Sequence, residues 1–372
     1  MVIYGILGMI QLITGPHLMV ITGRRTVGRI FGRPIWNVTE VKILPCSNHS
    51  DKSQKRFTDE QLDDEDRFLD LVRYFIQVSG LYWSSRYDLT RSFQLQADEN
   101  GLLVGESSLK LDQVDLKFFL NRYVCEPFLE TYKLSPDCLV DHFIAVCIEG
   151  CNFITWISFY LYLLCVVVEI QPTFVNKSAI NFGLISRRAT GRIGTRHFSR
   201  GIDDFGNVSN MVETEQIVLT DETKAVGAHV QIRGSIPIYW RQNANLAYKP
   251  PLELYNSEGN SRVFAAHFRE LLLHFKSVVA VNLVDRSGFE GILARKFAAE
   301  VDALNDPNLK YVHFDFHQNC RKMQWHKISI LMDSIESELK SHGYYLVKPG
   351  NLVELQRGVV RTNCIDCLDR TN

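Results

Sequence analysis

Apolar residues follow two rhythms along the chain: β-rich runs with loose alternation dominate the first half, and strand-like runs alternate with helical ones in the second. Residues 1–23 hold no Lys, Arg, Asp or Glu, and Thr14-Gly15-Pro16-His17 splits them into two apolar runs. With no basic segment in front, that pattern predicts a β-hairpin rather than a signal peptide. Residues 27–44 predict more sheet, and the polar residues 47–57 an exposed loop. Thr58-Asp-Glu-Gln61 has the capping-box pattern. It precedes Phe68, Leu69, Val72, Phe75 and Ile76 at helical spacing, and Gly80 closes that helix. Residues 82–111 read as short strands, with 87–95 alternating and Asn100-Gly101 marking a turn; 114–131 read as a helix.

Beyond residue 180 the order predicted is strand at 225–233, helix at 265–275, strand at 278–285 and helix at 291–304. Strand at 311–316, helix at 328–342 and strand at 343–347 follow. Residues 278–284 are the expected central strand, because an unbroken apolar run requires a sheet covered on both faces. The fold class expected is α/β, α+β overall. A mostly β N-terminal subdomain with helices (1–138) is followed by an atypical apolar segment (139–180). A domain with a mixed sheet flanked by helices completes the chain (181–372).

Residues 151–168 contain no charge, and about 18 to 20 such residues can cross a bilayer. Their aromatic and β-branched content, bracketed by Glu149 and Glu169, suits a pair of core strands or a buried helix as well. The 41 Lys and Arg against 42 Asp and Glu leave no basic surplus for nucleic acid, so any anion site is local. Nine scattered cysteines, an odd number, argue for a reducing compartment rather than a disulfide framework.

The chemistry concentrates in the last twelve residues, Arg361-Thr-Asn-Cys364-Ile-Asp-Cys-Leu-Asp-Arg370-Thr-Asn372. Cysteine and arginine separated by five residues can close a loop whose N–H groups and guanidinium converge on a tetrahedral anion above the sulfur. A free thiol near pKa 8.5 can fall to about 3.5–7.5 beside such dipoles, which makes Cys364 the candidate nucleophile and Arg370 the anion fork. Asp366 and Asp369 are both candidates for protonating the leaving alkoxide or orienting water. Asn363, Ile365, Cys367, Leu368 and Thr371 complete the expected anion cradle. No metal or other cofactor is required. Two alternatives use the same residues: a Cys364/Cys367 redox pair, and a zinc site with His313, His317 and Cys320.

All twelve positions of this motif resemble the signature of the Sac-domain phosphoinositide phosphatases. Leu184-Ile-Ser-Arg-Arg188, Gly194-Thr-Arg196, Arg200-Gly-Ile-Asp203, Val212-Glu-Thr-Glu-Gln-Ile217, Gln231-Ile-Arg-Gly-Ser-Ile-Pro237 and Phe314-Asp-Phe-His317 add to the likeness. The resemblance implies removal of phosphate from the inositol ring of a membrane lipid, phosphatidylinositol 4-phosphate or 3-phosphate, by Cys364 and Arg370. It also implies work at the cytosolic face of endoplasmic reticulum or Golgi membranes. Independently, Arg187, Arg188, Arg192, Arg196 and Arg200 stand together without a carboxylate between them, and Arg187, Arg188 and Arg196 are expected to meet a lipid headgroup or an anionic membrane surface. The alternative for this run is a solvated face paired with nearby acids.

Three departures from the family pattern shape expectations. The chain starts at the internal hairpin, residues 143–180 are unlike the family, and it stops at Asn372 before the helix that normally supports an anion loop. Weak or no turnover is therefore expected of this chain. A catalytically silent phosphoinositide-binding or adaptor protein is the alternative class, and a protein anchored through 151–168 is a third.

Overall fold

The computed structural model of the chain describes residues 1–46, 57–78, 80–97, 109–135, 142–150, 168–175, 178–194, 198–220, 225–243, 251–255, 258–349 and 351–365. They fall into two compact units: residues 1–98, 103–173 and 181–187 in one, and 99–102, 174–180 and 188–372 in the other. The architecture is mixed α/β with a strand-rich N-terminal region, the class expected from the sequence.

In the first unit the expected hairpin forms from β1 (Gly5–Gln11) and β2 (Pro16–Ile30), and β3 (Arg33–Pro45) returns antiparallel along β2. Helix α1 (Asp59–Val78) starts with both halves of its capping box: Gln61 N donates to Thr58 Oγ1 at 3.2 Å, and Thr58 N to Gln61 Oε1 at 3.0 Å. Val72 and Ile76 pack on the core, whereas Phe68 and Phe75 are 47% and 48% exposed. The helix is instead pinned by Glu65, which is buried and accepts from Ile13 N at 2.8 Å and Thr14 Oγ1 at 2.6 Å across the hairpin turn.

β4 (Gly80–Trp83), α2 (Phe93–Gln96), α3 (Arg122–Leu134) and β5 (Ile148–Gly150) follow, giving a five-stranded sheet in the order β1-β2-β3-β4-β5. The strand expected at 87–95 does not form. Ser84 Oγ accepts from Arg86 N and Tyr87 N, and Asp88 Oδ1 accepts from Thr90 N and Oγ1, so local side-chain bonds turn the backbone away from a ladder. The helix expected from 114 starts only at Arg122. Just before it, buried Asn121 donates to Leu7 O at 2.6 Å and Ala145 O at 2.8 Å and accepts from Cys147 N at 2.9 Å. β6 (Val168–Val175) and β7 (Ser178–Arg188) come next. Apart from Val168, the apolar stretch 151–168 lies outside the described residues. Among those described, no helix is long and apolar enough to cross a membrane.

The second unit contains β8 (Val212–Thr220), β9 (Val226–Arg233), the hairpin β10 (Trp240–Gln242) and β11 (Leu252–Leu254), and α4 (Asn260–Phe275). β12 (Ser277–Asn282), α5 (Gly288–Leu304), β13 (Leu309–His313), α6 (Phe316–Asn319) and α7 (Ile328–His342) follow. β14 (Tyr345–Lys348), β15 (Asn351–Glu354) and β16 (Gly358–Asn363) complete it. Its sheet runs β13-β12-β16-β9-β8, with β14 also on β9. β12 is parallel to both β13 and β16, β16 is parallel to β9, and β8 is antiparallel to β9.

The expected central strand is confirmed: Val278, Val279, Ala280 and Val281 of β12 are fully buried. Ile335 of α7 packs with Val279 and Val281, while α4 and α5 bring together Phe264, Phe268 and Phe297. A strand between two such layers has no face to give to water, which is why its sequence shows no alternation.

Candidate active site

Parallel strands leave their carboxyl ends on one edge of a sheet, and the loops there are the usual place for ligands in α/β folds. β16 ends at that edge. Asn282 of β12 stands in register with both Asn363 of β16 and His313 of β13, so the three strand ends lie side by side. Cys364 follows Asn363 directly and is buried.

The backbone in front of Cys364 is fixed by polar side chains that have no access to water. Arg361, Asn363 and Asn282 are each 0% exposed. Arg361 Nη1 donates to Asn363 Oδ1 at 3.0 Å, and Arg361 Nη2 to Ser235 O at 2.5 Å. Asn363 Nδ2 donates to Asn282 Oδ1 at 2.6 Å, and Asn282 Nδ2 to Tyr311 Oη at 2.9 Å. Main-chain bonds from Leu283 N to Asn363 O at 2.9 Å and from Gly234 N to Thr362 O at 3.2 Å close the frame on either side. A buried network of this kind is costly unless it is satisfied, and once satisfied it permits one arrangement. Burial, together with the Asn282 bond and the nearby Arg286, acts on the Tyr311 hydroxyl, and the net effect raises its pKa so that it remains a neutral donor and acceptor.

The neighbouring strand ends add charged groups at this edge. After β12, Asp285 Oδ1 meets His317 Nδ1 at 2.5 Å, and the imidazole is half exposed. Asp315 Oδ2 accepts from Arg286 N at 2.8 Å while its Oδ1 caps α6 through Gln318 N at 2.8 Å. Arg286 Nη2 reaches His313 O at 3.0 Å, and His313 Nε2 lies 2.9 Å from Val284 O. His313 and His317 thus serve the β12 and β13 loops, and among the described residues no group of three His, Cys, Asp or Glu is arranged to hold a metal.

Of the residues expected at the site, Asn363, Cys364 and Ile365 lie together at the end of β16. Asp366, Cys367, Leu368, Asp369, Arg370 and Thr371 lie outside the described residues, as does Arg196. Arg187, in the first unit, is completely buried. Arg188, in the second, is 8% exposed, with its Nη2 donating to Gly194 O at 2.8 Å and to Asn210 Oδ1. Sequence reasoning missed Asn282 and the Asp285–His317 pair. The signal for the first was available: an amide at the end of the run Val278-Val-Ala-Val-Asn282 is the only polar side chain in it and marks where the strand meets a polar partner.

A cysteine at the end of a central parallel strand, framed by buried Arg and Asn, defines a class: an α/β protein with a strand-end thiol site. The family model described as SacI homology domain matches residues 4–321, and the chain belongs to that family. It is 37% identical over 374 residues to phosphoinositide phosphatase SAC7 of Arabidopsis thaliana, with 100% of this chain and 57% of that protein covered. It is 33% identical over 371 residues to phosphatidylinositol-3-phosphatase SAC1-B of Danio rerio, covering 100% and 58% respectively. Against phosphatidylinositol-3-phosphatase SAC1 of Saccharomyces cerevisiae the figures are 35% over 381 residues, covering 100% and 56%. The chain thus spans a little over half the length of these relatives, and the aligned part takes in its whole sequence.

Proposed function

We propose that the chain carries the catalytic core of a phosphoinositide phosphatase, with residues 181–372 as the catalytic domain and Cys364 as nucleophile. The observation that carries this reading is the position of Cys364 at the carboxyl end of β16, immediately after the Arg361–Asn363–Asn282 network. The names of the aligned relatives supply the substrate class.

In the proposed reaction the Cys364 thiolate attacks the phosphorus of an inositol-ring monoester in line with the ester oxygen. A sulfur–phosphorus bond forms, the phosphorus–oxygen bond breaks, and the departing alkoxide takes a proton from Asp366 or Asp369. Water then attacks the phosphocysteine, releasing inorganic phosphate and restoring the thiolate. Arg370 and the loop N–H groups of residues 365–369 hold the three non-bridging oxygens through both steps. Arg361 contributes a fixed positive charge behind the strand end, and charge in a water-excluded frame acts without reorganisation. The substrate we favour is phosphatidylinositol 4-phosphate or 3-phosphate, met at the cytosolic face of endoplasmic reticulum or Golgi membranes, with Arg196 adding to the local attraction for anionic lipid; Arg187 and Arg188, both buried, are structural instead.

The test is phosphate release from short-chain phosphoinositides by the chain and by Cys364→Ser and Arg370→Gln. Release that falls by about 10³-fold or more in both variants is expected for loss of a nucleophile or its anion fork. Vesicle binding retained in Cys364→Ser, with no release by the unmutated chain, would favour the silent lipid-binding alternative.

A further inference from the structure

We propose that a second anion-recognition site, for a phosphate monoester on a hydroxylated ring, lies in the cleft against the β10–β11 hairpin of the second unit. This goes beyond the hydrolysis reading and does not rest on it. The cleft has a volume of about 590 Å³ and is lined by Arg192, Arg200, Arg241, Trp240, Gln242 and Tyr255 among others, and none of the described residues lining it is a carboxylate. That volume falls in the range of about 300–1,000 Å³ that holds small ligands.

Arg192 brings a guanidinium to the cleft lining. Its Nε donates to Ser209 Oγ at 2.8 Å and its Nη2 to Arg200 O at 3.0 Å, so its partners are a hydroxyl and a carbonyl, and no acid among the described residues neutralises it. Arg200 is 3% exposed, donates to Gln242 Oε1 at 3.1 Å and lies 5.8 Å from the Trp240 ring centroid. Arg241, by contrast, is paired with Glu253 at 2.6 Å and lies over Tyr255 at 5.2 Å, so it forms a wall rather than a free charge. A half-buried guanidinium with no acid partner among the described residues, facing a cleft walled by aromatic rings and amide side chains, fits a ligand with the same division. A phosphate would meet the guanidinium, and hydroxyl groups on a ring would meet the amides and ring faces.

The donor is pre-organised. Ser209, which holds Arg192 Nε, also accepts Ser235 N on its carbonyl at 3.0 Å, and Ser235 O accepts Arg361 Nη2 at 2.5 Å. Arg192 is therefore anchored to the same buried frame as β16 and needs little ordering when a ligand arrives. The same chemistry could come from a lipid headgroup or from a free ring phosphate, and binding measurements separate the two.

The test uses the full chain carrying Cys364→Ser and Arg370→Gln, which removes the hydrolytic site's nucleophile and fork. Calorimetric titration with inositol 1,4-bisphosphate is compared with sedimentation on phosphatidylcholine vesicles containing phosphatidylinositol 4-phosphate. Expected is binding that weakens at least tenfold in Arg192→Gln and at least threefold in Tyr255→Ala, an exposed wall residue whose loss does not depend on Arg192's structural bonds. Arg269→Gln, an equal charge loss on the exposed side of α4, should change it less than twofold. Arg192-dependent binding of the soluble phosphate supports recognition of the headgroup itself; dependence seen only on vesicles assigns the lipid as source. Affinity unchanged in both Arg192→Gln and Tyr255→Ala overturns the proposal, and so does loss of all binding on introducing Arg370→Gln alone.

Discussion

Replacing Asn363 with alanine removes an amide that two buried groups use at once. Asn363 Oδ1 accepts from the Arg361 guanidinium at 3.0 Å, and its Nδ2 donates to Asn282 Oδ1 at 2.6 Å. All three residues are 0% exposed, so water cannot replace either bond. Taking an acceptor from a buried charged donor costs about 2–3 kcal/mol, and taking a donor from a neutral amide about 1 kcal/mol. Among the described residues the Asn282 oxygen then keeps only the long contact from Val284 N at 3.4 Å. Asn363→Ala should therefore destabilise the second unit by about 3–4 kcal/mol. The neighbouring residue supplies the comparison: Thr362 Oγ1 makes one long bond, to Ile232 O at 3.4 Å, from a partly exposed position, and Thr362→Val should cost less than about 1 kcal/mol. Urea unfolding followed by circular dichroism measures both. A loss below about 1 kcal/mol for Asn363→Ala, or equal losses for the two variants, would refute the claim that the network fixes the strand end.

Other consequences follow from buried groups elsewhere. A Cβ on Gly358 would sit 2.0 Å from Cδ2 of His342, a ring that is 2% exposed, so Gly358→Ala should lower stability by about 1–3 kcal/mol, measured by the shift in thermal midpoint. Burial lowers the pKa of both His229 and His342, with Glu338 opposing it at His342 and His229 adding to it. The unfolded chain then binds more protons below its ordinary histidine pKa of about 6.5, so stability should be complete above that pH and fall on acidification toward pH 5.5. His342→Gln should flatten that slope, and an unchanged slope in a doubly substituted His229→Gln/His342→Gln chain would contradict it. Burial pushes the Cys125 thiol up to about 12 and raises Cys147 well above its ordinary value, whereas Cys46 is exposed. Iodoacetamide at pH 7.5 should label Cys46 in the native chain and leave Cys125 and Cys147 unmodified until denaturant is added.

Elements with a single strong local signal were readable from the sequence. The Thr58 capping box, the Gly15-Pro16 turn and the buried run of β12 each appear where expected, because cap, turn and double-sided burial are encoded within a few residues. The 87–95 segment shows the limit: its alternation predicted a strand, but Ser84 and Asp88 bind nearby N–H groups and turn the chain. Phe68 and Phe75 had the right helical spacing, yet the core takes Val72 and Ile76, since spacing fixes a face and not which part of it is covered. At the candidate site, the motif pointed to Cys364, which directly follows the end of β16. The partnership of Arg361 with Asn363 and Asn282 was not legible, because it joins residues 81 positions apart through parallel pairing of β12 and β16.

The central claim is that Cys364 takes the phosphoryl group, and the most direct measurement is acid-quench peptide mass spectrometry during turnover of short-chain phosphatidylinositol 4-phosphate. The account predicts a phosphoryl adduct on the peptide containing Cys364, absent from Cys364→Ser together with phosphate release. Phosphate release that continues undiminished in Cys364→Ser, with no adduct on the unmutated peptide, would contradict it.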